Sequence, residues 1–346
     1  MEDLLEVLGT VDRPHLPPPG TANAASFKEW YHFNLLAPGD GTDIILNLSL
    51  DGDVNRVGGG DADLILLVHR AGEGWRGAID SYEPAAVDLD ERQLDMRLGG
   101  NVIRYADGRY RLSARLRDGS AGLEAELRPA TKPMMVWNDT PLGSGHLNWL
   151  ILPHLEADGR LLLDGRAVAL DGICAYHDHN WGFWRWGEDF GWEWGFASDM
   201  GRPLGEGRDT LVFDRTTDRL GSTVMEQTLA LWRDAELVKL FTRRMLRTER
   251  RGTFRGRIPR VPGAMNLLAQ GAVLAVPAEL RISARDGADW LDIAYRVEAA
   301  LQVTIPGELG FGTVGLNETV GRMQAAGRVA GERVAFAARA CFEFLG

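Results

Sequence analysis

The stretch that decides the fold of this chain is Tyr176-His-Asp-His-Asn-Trp-Gly-Phe-Trp-Arg-Trp-Gly-Glu-Asp-Phe-Gly-Trp-Glu-Trp-Gly-Phe-Ala-Ser-Asp-Met200. It holds five of the eleven tryptophans in the sequence. Two runs of strand-forming residues flank the segment from Gly187 to Gly191, which predicts two strands joined by a tight turn. We expect this hairpin to be the centre of the fold, because few purely structural strands combine so many ionisable and aromatic groups.

Side chains alternate between the two faces of a strand, so the polar groups of this stretch separate into two sets. One predicted face carries Tyr176, Asp178 and Asn180. The opposite face carries two imidazoles and an indole, from His177, His179 and Trp181. Both sets contain groups that bind or react, so the sequence leaves open which face lines a pocket.

The rest of the chain is dominated by the period-two patterns of antiparallel sheet. Apolar and polar residues alternate from Tyr110 to Leu116, from Leu123 to Leu127 and from Leu291 to Val297, which is typical of strands with one wet face. Eight Asp-Gly pairs predict hairpin turns, because glycine accepts positive φ. We therefore predict an all-β fold, with helix expected only at residues 2–8 and 225–240.

Composition narrows the class of protein. A net charge of −11 over 346 residues argues against a nucleic-acid partner, which requires a basic surface. Two cysteines, Cys174 and Cys341, form neither a disulfide framework nor a zinc spacing. The acidic N-terminus lacks the basic region of a signal peptide, and the most apolar run, Leu267 to Leu280, is too short to span a bilayer. We expect a soluble, cytoplasmic protein.

The segment from Arg243 to Arg260 has an unusual charge. It contains eight arginines and a single acidic residue, Glu249. One interpretation is a solvated loop or edge strand, where charge discourages aggregation. The other is a patch that docks peripherally on an anionic membrane or an acidic partner.

A metal site is a weaker hypothesis. His177 and His179 could share a metal from one strand face, with His146 or His154 completing the ligand set. No phosphate-binding glycine loop and no Gly-x-Ser-x-Gly nucleophile elbow occur in the sequence. We expect neither a metal nor a cofactor.

Three motifs together resemble a known family. Tyr176-x-Asp178-x-Asn180-x-Gly182, followed by Trp192-x-Trp194-Gly195, is similar to the signature of the carotenoid 1,2-hydratase (hydroxyneurosporene synthase) superfamily. Glu29-Trp30-Tyr31 resembles its opening aromatic strand, and Gly315-Leu-Asn-Glu-Thr-Val-Gly321 its closing strand. The resemblance covers the chain from about residue 22 to the end.

The resemblance implies two lipocalin-like antiparallel β domains with a ligand cleft between them. We place them at residues 22–200 and 201–346, after a lead at 1–21. The resemblance also implies large, apolar, unsaturated substrates, since relatives include hydratases of isoprenoid ends, tocopherol-cyclase-like proteins and decalin-forming Diels–Alderases. In the hydratases a Tyr-x-Asp pair acts with a His-x-Trp pair. The matching residues here are Tyr176 and Asp178 with His146 and Trp149, whose spacing is one residue longer than the family pattern.

These arguments give a set of candidate residues and three candidate functions. The candidate catalytic residues are Asp178, Tyr176, His146 and Trp149. The candidate substrate-binding residues are His177, His179, Asn180, Trp181, Trp192, Trp194, Trp30 and Glu318. The chain would be an enzyme that adds water to an isoprenoid, carotenoid or polyene, or cyclises it, by acid catalysis. The alternatives are a pericyclic cyclase and a carrier of an apolar lipid without catalytic activity.

Overall fold

The protein forms two compact units, Met1–Trp184 and Arg185–Gly346. The structure, a computed structural model, describes residues 2–37, 41–263, 276–308 and 312–345. Within these ranges almost every regular element is a strand. The exceptions are one α-helix, α1 (Glu2–Val11), and three single-turn 3-10 helices at Ala24–Ser26, Pro84–Ala86 and Arg243–Met245. The predicted all-β, two-domain fold is confirmed.

The first unit is built on one antiparallel sheet. Its described residues form twelve strands: β1 (Phe27–Ala37), β2 (Thr42–Gly52), β3 (Gly60–Arg70), β4 (Gly74–Tyr82), β5 (Val87–Leu89), β6 (Asp95–Leu98), β7 (Asn101–Ala106), β8 (Arg109–Arg115), β9 (Ala121–Pro129), β10 (Met134–Leu142), β11 (Gly145–Leu163) and β12 (Arg166–Phe183). Their order is β4-β3-β2-β1-β12-β11-β9-β8-β7-β6-β5, and β10 pairs with β11 beside this path. The strand that carries Asp178, β12, therefore lies near the middle of the sheet.

Local sequence explains both the turns and the core of this unit. Asp107 and Gly108 join β7 to β8 with φ values of 55° and 70°, the left-handed conformations that a type I′ hairpin turn requires. Along β1, Tyr31 and Phe33 point into a core shared with Leu46 of β2. The alternate residues of the same strands point to the opposite face.

The second unit is built on another sheet. Its described residues form ten strands: β13 (Gly191–Ser198), β14 (Asp209–Thr217), β15 (Val224–Arg233), β16 (Glu236–Thr242), β17 (Leu246–Arg251), β18 (Arg260–Val261), β19 (Glu279–Asp286), β20 (Asp289–Pro306), β21 (Thr313–Val329) and β22 (Glu332–Leu345). The order is β16-β15-β14-β13-β22-β21-β20-β19-β17. Pairing is antiparallel except for the two-residue strand β18, which runs parallel to β20.

Three sequence-based expectations differ from this architecture. The predicted central hairpin does not form, because β12 pairs with β1 and β11 whereas β13 pairs with β14 and β22. The boundary expected between residues 200 and 201 falls instead between Trp184 and Arg185, and α1 belongs to the first unit rather than to a separate lead. Residues 225–240, considered as a helix, form most of β15 and β16.

No helix among the described residues combines the length and apolar character needed to cross a membrane. Most of the apolar run from Leu267 to Leu280 lies outside the described residues.

Candidate functional site

Asp178 lies at the centre of a cluster of polar and aromatic side chains on one face of the first sheet. On β12 it is flanked by Tyr176 and Asn180, which share its face because side chains alternate. Strand β11 places Trp149 directly opposite Asn180. Asp178 is only 6% exposed, and Tyr176 and Trp149 are also buried. The predicted grouping of Tyr176, Asp178 and Asn180 on one face is therefore what the structure contains.

Three side chains donate hydrogen bonds to the carboxyl group of Asp178. The hydroxyl of Tyr176 and the indole N–H of Trp149 both reach Oδ2, at 3.0 Å and 3.2 Å. The side-chain amide of Asn180 reaches Oδ1 at 3.1 Å. Donors directed at both oxygens stabilise the ionised form of a carboxyl group.

Burial and these donors act on the pKa of Asp178 in opposite directions. Burial raises the pKa of Asp178 to about 6, while the neighbouring His177 and the hydrogen bonds from Tyr176 and Trp149 limit the rise. The ordinary value is 3.8. Asp178 therefore gains and loses its proton close to neutral pH, which is the property that a general acid or base requires.

His32 is a functional candidate that the sequence analysis did not select. It lies directly opposite Asp178 on β1, and its neighbour Asn34 lies opposite Tyr176. His32 Nε2 and Asn34 Oδ1 are 2.9 Å apart. Burial lowers the pKa of His32 to about 4, so its imidazole is neutral at pH 7. A neutral imidazole offers one donor and one acceptor nitrogen. The alternation of Trp30, His32 and Asn34 in the sequence indicates that these three side chains share one face of a strand. It does not indicate that this strand pairs with β12.

Of the two predicted upstream partners, only Trp149 contacts Asp178. His146 lies opposite Phe183, near the end of β12. Its side chain is 39% exposed, and its Nε2 is 3.9 Å from Asp139 Oδ1. The extra residue between His146 and Trp149 explains this, because a change of one residue reverses the face of a strand side chain. We therefore remove His146 from the candidate catalytic set.

His177 and His179 lie on the other face of β12, inside the core of the first unit. His177 Nε2 is 3.1 Å from Asp12 Oδ2, and His179 Nδ1 is 3.0 Å from Asp12 Oδ1. The second nitrogen of His179 is 2.9 Å from Glu29 Oε1, and that of His177 is 3.0 Å from the carbonyl oxygen of His32. All four ring nitrogens thus face oxygen acceptors.

This buried network favours the charged forms of Asp12 and His179. Burial alone would raise the pKa of Asp12, but the charge of His177 and the hydrogen bonds from both histidines hold it well below its usual range. Burial alone would lower the pKa of His179, but its hydrogen bonds to Asp12 and Glu29 raise it. With every ring nitrogen already engaged, the two histidines do not form the metal site considered from the sequence. We assign them to the core rather than to substrate binding.

The remaining predicted tryptophans are divided between the two units. Trp181 shares the core face with His179 and stacks on His15, at 4.0 Å between ring centroids. Trp30 shares the face of Asp178, half-buried, and packs edge-on against Trp184 at 5.1 Å. Of the two remaining predicted tryptophans in the first unit, Trp30 is the one that shares the face of Asp178.

Three predicted binding residues belong to the second unit. Trp192 and Trp194 lie on β13, and Glu318 lies on β21 opposite Glu343 of β22. All are buried. They belong to a different unit from Asp178, and their role in binding stays a prediction.

The arginine-rich segment, Arg243–Arg260, includes the edge strand β17 of the second sheet. Arg250 is paired with Glu193, and Arg251 with Glu249. Most of its arginines are exposed. This placement agrees with the solvated edge-strand interpretation; contact with a membrane or an acidic partner stays a prediction.

Solved structures of similar fold span nearly the whole chain. An AttH protein from Nitrosomonas europaea matches with a TM-score of 0.65 and 16% identity, covering 97% of this chain and 98% of that one. Kievitone hydratase from Nectria haematococca matches with a TM-score of 0.57 and 11% identity, over 97% and 94%. CghA, crystallised with Sch210972, matches with a TM-score of 0.59 and 12% identity, over 96% and 93%.

No family model and no curated protein matches the chain. At these low identities the solved structures establish the fold alone, and that fold is the one implied by the resemblance of the sequence motifs.

Proposed function

We propose that this protein is an enzyme that adds water to, or cyclises, a large apolar unsaturated molecule, with Asp178 as the group that transfers the proton. The observation that carries the proposal is a carboxyl group 6% exposed, surrounded by Trp149, Tyr176 and Asn180, whose pKa burial raises to about 6. The similarity in fold to kievitone hydratase supports the reaction class. Isoprenoids, carotenoids and polyenes are the substrates that the sequence motifs favour.

In the acid route, protonated Asp178 transfers its proton to one carbon of an alkene and leaves a carbocation on the other. The three donors that point at Asp178 then stabilise the carboxylate that remains. With a pKa of about 6, about a tenth of the molecules hold this proton at pH 7. The active fraction therefore grows as the pH falls toward 6.

Capture of the cation completes the reaction. Water adds through its oxygen and returns a proton to the carboxylate of Asp178, directly or through the neutral imidazole of His32, so that the acid is restored and the net change is the addition of one water. If a second alkene of the same molecule attacks instead, a ring forms and a new carbocation results, which becomes neutral by losing a proton to the carboxylate of Asp178. The aromatic rings of Trp149 and Trp30 lie on the same sheet face and would stabilise the cation, by about 0.5 to 2 kcal/mol for each desolvated contact.

A pericyclic cyclase is the second candidate, because Asp178 is about nine-tenths ionised at pH 7 with a pKa of about 6. Such an enzyme gains rate by orienting a polyene and by hydrogen bonds to a carbonyl, without a proton transfer. Asn180 has a second amide N–H available to such a carbonyl, since its amide carries two donors and one donates to Asp178.

Turnover by the Asp178→Asn variant separates these functions. The wild type and the variant are assayed with a carotenoid, an acyclic isoprenoid and a polyene that carries a diene and a dienophile. Acid catalysis predicts a loss of at least about a hundredfold with little change in ligand affinity. The control is Asp171→Asn, an exposed aspartate on the same strand, which should be fully active.

Other results of this assay would indicate a different function or refute the role of Asp178. A pericyclic enzyme would lose much less activity in Asp178→Asn, because the amide fills the same space and can also donate a hydrogen bond. Saturable binding with no turnover by the wild type would indicate a carrier. A folded Asp178→Asn protein with undiminished hydratase activity would refute the role of Asp178.

A further inference from the structure

Another buried aspartate, Asp214, lies in the second unit. It is 3% exposed and belongs to β14, where Leu211 and Phe213 pack into the core of that unit. Because side chains alternate, Asp214 points to the opposite face of the sheet. Trp194 of β13 lies directly across from it. No hydrogen bond or ion pair to Asp214 is found among the described residues, and its Oδ2 is buried without a partner.

Unlike Asp214, the two neighbouring carboxylates are each paired with an arginine. Glu193 is paired with Arg215, at 2.7 Å between Oε1 and Nη1. Glu226 accepts hydrogen bonds from the guanidinium of Arg243. Asp214 lies close enough to both carboxylates to be affected by their charge, yet it has no arginine of its own within the described part of the chain.

A carboxyl group in this position favours its protonated form. Burial raises the pKa of Asp214 well above its usual value, and the negative charges of Glu226 and Glu193 raise it further. A protonated carboxyl group carries one O–H donor in addition to its acceptor oxygen. A buried donor without a partner costs free energy, so a native protein that retains one usually has a use for it.

We propose that Asp214 donates a hydrogen bond to an oxygen atom of an apolar ligand of the second unit, and that this ligand is therefore an oxygenated polyene or isoprenoid, bearing a carbonyl or a hydroxyl, rather than a pure hydrocarbon. This goes beyond the function proposed above and rests on it only in taking the ligand to be apolar and unsaturated. The surroundings of Asp214 fit such a ligand, because the aromatic ring of Trp194 lies on the same face of the second sheet as the carboxyl group of Asp214. A hydrocarbon would leave the O–H of Asp214 unpaired, whereas a ketone would satisfy it. Sites built to hydrogen-bond a ligand discriminate strongly against analogues that lack the polar group.

The test compares two ligands that differ only in the oxygen. A conjugated polyene ending in a methyl ketone and the hydrocarbon of the same skeleton are titrated at equilibrium against the full chain, and binding is followed by quenching of tryptophan fluorescence. We expect the wild type to bind the ketone at least about tenfold more tightly, a difference equivalent to one net hydrogen bond. Asp214→Asn should keep the preference, because its amide still donates. Asp214→Leu should abolish it while retaining affinity for the hydrocarbon.

Two controls keep the result interpretable. Asp63→Asn changes another aspartate whose pKa is raised by burial, in the first unit, and should bind both ligands like the wild type. Infrared difference spectra of the wild type should show a protonated carboxyl band that shifts when the ketone binds and is missing in Asp214→Asn. This measurement does not depend on whether Asp214→Leu folds.

Two results would overturn the inference: equal affinity of the wild type for ketone and hydrocarbon, or an Asp214→Leu protein that still prefers the ketone. The readout is binding, so it is independent of the proton transfer assigned to Asp178. An Asp178→Asn protein without turnover, combined with no preference for the ketone, would uphold the proposed function and reject the role of Asp214.

Discussion

Replacing Asp178 with asparagine should stabilise the protein, and it should do so only where the wild-type carboxyl group is ionised. Burial raises the pKa of Asp178 from 3.8 to about 6, so the folded state holds the proton more tightly than the unfolded chain does. Stability contributed by this proton is complete below pH 3.8 and is lost as the pH rises through 6. The full loss corresponds to about 3 kcal/mol.

Asparagine cannot ionise, so Asp178→Asn avoids this loss. The oxygen of its amide can accept from Tyr176 and Trp149, and its N–H can donate to Asn180 if that side chain rotates to present its oxygen. Any remaining difference in hydrogen bonding is independent of pH. The free energy of unfolding of the variant relative to the wild type should therefore rise by about 3 kcal/mol between acidic and neutral conditions.

Urea unfolding over a series of pH values, followed by tryptophan fluorescence, measures this difference. Asp171→Asn is the matched control, because it removes an exposed carboxylate from the same strand and its relative stability should stay nearly constant with pH. A relative stability of Asp178→Asn that does not change with pH, or that falls as the pH rises, would show that Asp178 is not a buried carboxyl group with a raised pKa.

Other parts of the structure make further predictions. Tyr176→Phe should raise the pKa of Asp178 by about one to two pH units, because a hydrogen bond to a charged group contributes about 1.5 to 3 kcal/mol. An unchanged midpoint for Asp178 in an isotope-edited NMR titration would contradict this. Trp149→Phe should slow turnover by at least about tenfold, the equivalent of one hydrogen bond, whereas His146→Ala should have little effect; equal losses would restore His146 to the site. Asp12→Asn should lower the free energy of unfolding, measured in urea, by about 3 to 5 kcal/mol, because the buried imidazoles of His177 and His179 lose the carboxylate that they contact. A loss below about 1 kcal/mol would mean that the network around Asp12 is not charged. Sedimentation with anionic vesicles should show salt-dependent binding if Arg243–Arg260 is a membrane contact, and equal binding to neutral vesicles would reject an electrostatic contact.

The sequence predicted those features that depend on local pattern. Alternation along the strands and the Asp-Gly turns are enough to indicate antiparallel sheet, because both reflect backbone geometry over a few residues. The same alternation placed Tyr176, Asp178 and Asn180 together. The spacing of His146 and Trp149, one residue longer than the family pattern, was also informative. It places the two side chains on opposite faces of the strand, so that Trp149 reaches Asp178 and His146 does not.

Features that depend on long-range pairing could not be predicted. His32 meets Asp178 only through the register between β1 and β12, and no local signal specifies which strands will pair. The expected hairpin failed for the same reason, because the turn-forming residues between Gly187 and Gly191 connect two separate sheets. Asp12 was missed because its partners, His177 and His179, lie more than 160 residues away along the chain.

The two faces of β12 also constrain how this protein can evolve. Groups proposed for chemistry occupy the even positions from Tyr176 to Asn180, and the buried ionic network occupies the odd positions between them. Inserting or deleting one residue within this stretch would exchange the two sets at once, since a shift of one residue turns every side chain to the other face. Changes in length are therefore expected at the Asp164–Gly165 turn, and variation between relatives along the centre of β12 should be limited to substitutions.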